Sequence, residues 1–111
     1  VEPVEYAEAA VRGLDVVITA TSSRDPVLRG EWVEAGQHLN LIGSNFLTKA
    51  EADAEVFRKA TVVTVDSKEQ AKHEAGDFVA ALNEGVLRWS DVREVSAVLI
   101  GRTPGRTSPY D

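Results

Sequence analysis

The sequence predicts an α/β fold in which helices cover both faces of a mostly parallel sheet, a three-layer αβα arrangement. Two observations carry that expectation. Short, apolar, largely β-branched runs stand at 14–21, 38–42 and 61–65, and helix-forming stretches separate them. A third observation concerns how the runs end: Thr21-Ser22-Ser23, Gly43-Ser44-Asn45 and Asp66-Ser67 are all small, hydrogen-bonding residues. Right-handed crossovers bring the C-termini of parallel strands to one edge, and ligands of open α/β sheets bind outside that edge.

Taken in order, Val4 to Arg12 is helix-prone, with Ala7, Ala10 and Val11 at helical spacing and Gly13 placed to end it. The Val16-Val17-Ile18 centre of the next run suits a strand covered on both faces. Thr21 to Pro26 is a polar loop in which Asp25 caps a short turn begun by Pro26, and Glu31 to Ala35 forms one helical turn closed by Gly36. After the second strand, at His38 to Ile42, Thr48-Lys49-Ala50-Glu51 is a capping-box pattern that opens a helix to about Ala60, with Ala52, Val56 and Phe57 as its apolar stripe. Thr61 to Val65 is the third strand. Ser67-Lys68-Glu69-Gln70 opens a helix that Gly76 interrupts, and Phe78 to Leu82 continues as a second piece stopped by Gly85. Ser90 or Asp91 caps a final helix carrying Val92, Val95, Val98 and Leu99, with a strand at 97–100 as the alternative. The Gly-, Pro- and Arg-rich stretch from Gly101 onward reads as a loop or linker.

Composition narrows the function. The chain has 111 residues, 43% of them apolar and 27% charged, which fits one domain with a modest core. A net charge of −6 repels phosphate backbones and argues against a general nucleic-acid binder. No apolar run approaches the roughly 20 residues of a membrane helix. The absence of cysteine excludes a disulfide scaffold, a thiolate metal site and a thiol nucleophile, and fits a cytoplasmic protein. Val1 opens a sequence without methionine and without signal-peptide character, so it is expected to be cut from a longer protein.

Each polar strand end also has a structural role open to it, since Ser, Thr, Asp and Asn cap helices at such junctions. His38 and His73 have no third ligand at metal spacing, so no metal is expected. No G-x-S-x-G nucleophile elbow occurs. Asp53 and Glu55 are expected on a solvated helix face, Arg102 and Arg106 as solvated loop arginines, and Trp32 and Trp89 as packing anchors. Neither G-x-G-x-x-G nor a P-loop is present. In a dinucleotide fold the pyrophosphate is read by the first βα turn, which is then expected upstream of Val1.

Five ordered blocks resemble the ornithine cyclodeaminase/mu-crystallin family: Gly13 to Ser23, Trp32 to Asn45, Val65 to Ala71, Glu74 to Asp77 and Gly101 to Thr107. The resemblance implies a Rossmann-like NAD(P)-binding domain, here a partial one. Residues 1–101 would be its second half and 102–111 a linker to a substrate and dimerisation domain. It implies NAD or NADP as cofactor, an amino acid, imine or keto acid as substrate, and a homodimer formed through that other domain. Thr21 and Ser22 would line the dinucleotide crevice, Gly43, Ser44 and Asn45 would approach the nicotinamide, Lys49 would lie near the cofactor, and Val65 would pack against the nicotinamide side.

Asn45 stands where ornithine cyclodeaminases of the family carry an aspartate. An amide donates and accepts hydrogen bonds but cannot take a proton as a carboxylate does. Cyclodeamination is therefore the weaker expectation. An amino-acid dehydrogenase or imine reductase, in which the cofactor carries the hydride, is the stronger. A non-catalytic, mu-crystallin-like binding protein is the remaining alternative. Phe46-Leu47 also departs from the small Pro-Gly-like stretch usual in the family after this position. The chain alone is expected to be inactive and to bind NAD(P)H poorly.

Overall fold

A computed structural model describes residues 1–111. Four short strands and four short helices form in the order β1 (Val16–Thr19), β2 (His38–Leu41), α1 (Ala54–Lys59), β3 (Val63–Val65), α2 (Lys68–Glu74), α3 (Asp77–Asn83), β4 (Val92–Glu94) and α4 (Val95–Leu99). Two 3-10 turns, Ala7–Ala10 and Gly30–Trp32, precede β1 and β2. The α/β alternation and parallel pairing expected from the sequence are present. β1 pairs parallel with β2, Val17 opposite Leu39, and β3 pairs parallel with β4, Val63 opposite Val92. The pairing is divided between two two-stranded sheets instead of one continuous ladder. An isolated parallel bridge joins Leu28 to Ala52. No helix is long and apolar enough to cross a membrane.

Several element boundaries differ from the sequence pattern. The first helix is reduced to Ala7–Ala10, and only Val11 beside it is buried, so the alanine stripe has no core to drive a longer helix. Asp25-Pro26 starts no helix. Instead, the N–H groups of Val27 and Leu28 both donate to the Glu51 carbonyl. The final valines divide between a strand at Val92–Glu94 and the short helix Val95–Leu99, because Val92 finds a parallel partner in Val63 and is 1% exposed. β1 is not covered on both faces: Val17 and Thr19 point inward, while Val16 and Ile18 are 53% and 61% exposed.

The largest revision concerns the segment after β2. The helix begins at Ala54, not near Thr48, and its cap is Asp53, whose carboxylate accepts from Val56 N (3.2 Å) and also from Gly30 N (2.9 Å). Asp53 is therefore a cap that ties two elements together, not a residue on a solvated face. Glu55 does face outward and pairs with Arg58. Ser67 caps α2 as expected, accepting from Gln70 N, and Gly85 ends the α3 region with φ of 70°.

The core gathers Val11, Val17, Leu28, Ala52, Val56, Phe57, Phe78, Ala81, Leu87 and Val92. Phe78 is its hub, meeting Phe57 edge-on at 5.2 Å and Trp89 at 5.6 Å between ring centroids. Each such contact adds about 0.5–1.5 kcal/mol beyond burial. Trp89 and Trp32 are thus packing anchors, as expected, each with a cation above its ring, Lys72 and Arg29 respectively.

The C-terminal stretch folds back onto the starts of β1 and β2. The Arg106 guanidinium donates to the carbonyls of Gly36, Ser108, Pro109 and Asp111, so it is a clamp and not a freely solvated arginine. The Asp111 carboxylate accepts from the backbone and hydroxyl of both Thr107 and Ser108. Those bonds, led by the Thr107 backbone, lower its pKa from 3.8 to about 2. The Arg102 side chain makes no comparable contact.

Two outcomes follow from these contacts. Asp53→Ala removes a cap and orphans Gly30 N, and is expected to lower unfolding free energy by about 1–2 kcal/mol in urea titrations. A loss below the error of the measurement would show that water replaces the cap. Because the Asp111 carboxyl is more acidic in the folded chain, its stabilising contribution is complete above pH 3.8 and is lost as pH falls through about 2. The amide resonances of Thr107 and Ser108 are expected to shift with a midpoint near that lower value. A midpoint near 3.8 would mean that the clamp does not form in solution.

Candidate functional site

The C-terminal ends of β1 and β2 meet around one side chain, Glu51. Its residue is 0% exposed. Oε1 accepts from the Thr19 hydroxyl (2.8 Å) and from Gly43 N (2.6 Å), and Oε2 accepts from Thr21 N (2.5 Å). None of the six ion pairs in the structure includes Glu51, so this buried carboxylate is satisfied by neutral donors alone. Burial pushes its pKa up, but the hydrogen bonds from Thr21, Thr19 and Gly43 outweigh burial and hold it below the ordinary carboxylate value. It is therefore an anion at neutral pH.

A second buried carboxylate supports the first. Asp77, 6% exposed at the start of α3, accepts from Glu51 N (2.6 Å) and Ala52 N (2.9 Å) through Oδ1. Burial raises its pKa by more than the bonds from Ala52 and Glu51 lower it, and the nearby Glu51 charge adds to the rise. Two glycines bring the surrounding backbone into contact. A Cβ on Gly43 would overlap the Thr21 carbonyl and the Glu51 carboxylate. A Cβ on Gly76 would overlap the carbonyls of Phe46 and Lys49, so the loop after β2 is seated directly on the approach to α3. The Ser44 hydroxyl closes that loop by donating to the Lys49 carbonyl (2.7 Å).

The structure brings most of the residues singled out from sequence to this edge. Thr21 and Ser22 lie at the end of β1 with exposed side chains, and Gly43 and Ser44 are half-buried opposite them. Asn45 is exposed at the lip of the loop. Lys49 is half-buried, its ammonium 5.1 Å from the centre of the exposed Phe46 ring. Val65 stands apart from the Glu51 network, at the end of β3 opposite Glu94 and against the core. The Thr48 capping box does not form. Its glutamate, Glu51, and Asp77 are the two residues that sequence reasoning missed. Glu51 was readable only as a capping partner, and nothing in the local pattern around Asp77 marks a buried acceptor.

The arrangement offers hydrogen-bonding side chains on two facing loops whose own backbone is fixed from beneath. No lysine or arginine pairs with the anion below. One surface depression lies elsewhere, between the starts of β1 and β2 and the folded-back tail. It is open and lined by Asp15, His38 and Arg106 among others. It is a crevice left by the tail, and the convergent strand ends are the better candidate on chemistry.

The pattern describing the ornithine cyclodeaminase/mu-crystallin family matches residues 1–111. The mu-crystallin ketimine reductase of Mus musculus is 46% identical over 98 residues, covering 87% of this chain and 29% of its own length. The structure of Thermococcus litoralis Δ1-pyrroline-2-carboxylate reductase in complex with NADH and L-proline superposes with a TM-score of 0.90 at 34% identity, over 97% of this chain and 33% of that one. An archaeal alanine dehydrogenase dimer with bound NAD gives a TM-score of 0.85 at 42% identity, over 98% and 33%. The chain thus spans about a third of the length of the proteins it matches.

Asp77 provides a test of this network. Asp77→Ala removes the shared acceptor of two buried N–H groups and is expected to cost about 1–3 kcal/mol for each in equilibrium unfolding at pH 7. Asp77→Asn keeps an acceptor oxygen and removes a carboxyl whose charged form burial penalises, so it is expected to match or exceed the original stability. Equal damage from both substitutions would show that the charge, not the acceptor, is what the fold requires.

Proposed function

The chain belongs to the ornithine cyclodeaminase/mu-crystallin family, and on that premise we propose that it forms the nicotinamide-side half of an NAD(P)-binding domain in an amino-acid dehydrogenase or imine reductase. The observation that carries this reading is the pair of loops at Thr21-Ser22 and Gly43-Ser44-Asn45, held face to face at the C-terminal strand edge by a buried carboxylate. Edges of this kind bind dinucleotides in open α/β sheets. The relatives support it: one is named a ketimine reductase, and two solved neighbours hold NADH or NAD. The exposed Val16 and Ile18 on the outer face of β1 fit a domain completed by further chain.

NAD(P)H supplies the hydride when bound. The residues of this chain bind and orient. The exposed hydroxyls of Thr21 and Ser22 and the Asn45 amide would serve as donors and acceptors for the nicotinamide half of the cofactor, and Lys49 would add a cation at the rim. Gly43 and Ser44 would offer backbone for close approach of the nicotinamide side of the cofactor, and Val65, from the end of β3, would add an apolar side chain to that half of the domain. Asn45 holds a substrate amine or imine by hydrogen bonds without exchanging a proton with it. A proton donor then comes from outside these residues. This favours reduction of an imine, or interconversion of an amino acid with its keto acid, over cyclodeamination of ornithine.

Dimerisation is proposed through the rest of the protein, by analogy with the dimeric alanine dehydrogenase. A cytoplasmic location is proposed with it, in keeping with a chain that has no cysteine. A cofactor-holding protein without turnover is the second reading, and Asn45 in place of an acid is what favours it.

The test is turnover by the full-length protein. Oxidation of NADH or NADPH is followed with a cyclic imine carboxylate, and with pyruvate plus ammonium, while ornithine is tested separately for proline formation. Consumption of reduced cofactor with the imine or keto acid, and none of the ornithine converted, is the expected result. Cofactor binding without any turnover establishes the second reading. Proline formed from ornithine overturns both and restores the cyclodeaminase.

A further inference from the structure

Glu51 has a role that its burial alone does not explain. A carboxylate taken out of water is costly, and an apolar or amide side chain at such a site commonly serves stability as well or better. Here the full charge is spent on the backbone of two loops. Oε2 holds Thr21 N and Oε1 holds Gly43 N, and these N–H groups belong to the ends of different strands. The Thr19 hydroxyl fixes Oε1 from within β1, and Asp77 fixes the Glu51 backbone from α3. At Gly43 the strand ends are in contact, with no room for a Cβ between the Thr21 carbonyl and the Glu51 carboxylate. Beyond the last ladder bond, from Ile42 N to the Thr19 carbonyl, the Thr21-Ser22 and Ser44-Asn45 loops are therefore bridged by the reach and charge of a single side chain.

We propose that Glu51 is the positioning residue of the cofactor edge: through Thr21 and Gly43, its carboxylate holds the two strand-end loops at the spacing that admits the nicotinamide half of a dinucleotide. The proposal rests on the NAD(P)-binding reading above. The acceptor pattern makes it specific. A glutamine at this position turns one oxygen into an N–H₂ donor. Whichever way the amide lies, that donor faces the N–H of Thr21 or of Gly43, and one loop is pushed away. An aspartate keeps the charge but is one methylene short of spanning both loops.

The experiment compares cofactor affinity in the full-length protein, by NADH and NADPH fluorescence titration and by steady-state kinetics with the imine or keto acid. Glu51→Gln is expected to raise Kd and KM for the cofactor about tenfold or more, with KM for the substrate at saturating cofactor within about twofold. Thr19→Val, which is isosteric and removes one donor to the carboxylate, is expected to raise cofactor KM about threefold. The double variant is expected to be no worse than Glu51→Gln, because Thr19 acts through Glu51. Asp53→Ala serves as the control for stability: it loosens the fold away from this edge and is expected to leave cofactor KM unchanged.

A folded Glu51→Gln protein whose cofactor KM stays within about twofold overturns the proposal, as does an Asp53→Ala protein that shifts cofactor KM equally. If Glu51→Gln does not fold, Thr19→Val decides, and an unchanged cofactor KM there overturns it. A wild-type protein that binds neither NADH nor NADPH overturns the underlying reading and this proposal with it. Wild-type binding that the substitutions leave untouched overturns this proposal alone.

Discussion

A carboxylate without a cation must be surrounded by donors, and the donors available to Glu51 are the polar groups at the ends of two parallel strands. The architecture near the site follows from that requirement. The chain between β2 and α1 cannot be helical at Glu51, because its side chain has to reach back under Gly43 while its backbone carbonyl receives Val27 and Leu28. Its N–H and that of Ala52 then need an acceptor of their own, and Asp77 at the head of α3 supplies it. Three segments distant in sequence are thus joined by two acidic side chains. The small residues between them, Gly43 and Gly76, are small because backbone carbonyls occupy the space a Cβ would take.

The apolar core performs a different task. Phe57, Phe78 and Trp89 clamp α1 to α3 and to the loop before β4, and Leu28, Val56 and Ala81 fill the space beneath them. Surface ion pairs such as Arg12 with Glu8 and Arg88 with Asp91 are exposed and screened by solvent, and they add little to stability. Stability comes from the aromatic cluster, and the shape of the C-terminal strand edge comes from the buried acids. The two meet at α3, where Asp77 turns to the edge and Phe78 to the core. The site is therefore built on a helix that packing holds in place.

On the outer face of β1 the same chain has no comparable cover. Val16 and Ile18 stand exposed beside His38 and Asn40 of β2, and the far edge of β1 has no strand partner. The polar β2 residues and the apolar β1 residues share this face in register. The chain belongs to a family whose solved members it matches over about a third of their length.

By itself the sequence determined the alternation of strand and helix, the three β-branched runs, the Ser67 cap, the glycine stop at Gly85 and the polar strand ends that point to a ligand edge. These are local properties: β-branched residues favour extended backbone, and a Ser side chain reaches only its own first turn. The resemblance to the family was legible in ordered blocks for the same reason, since such blocks are runs of neighbours. What only the tertiary structure decided were features that depend on distant partners. Val92 is a strand residue because Val63 lies beside it, and Asp53 is the cap because Gly30 also needs its carboxylate. Arg106 is bound because the chain folds back on Gly36. Glu51 and Asp77 carry no local mark of burial: an acidic residue in sequence is expected in water, and only the convergence of donors from Thr19, Thr21, Gly43, and from Glu51 and Ala52 in turn, makes the buried charges tolerable.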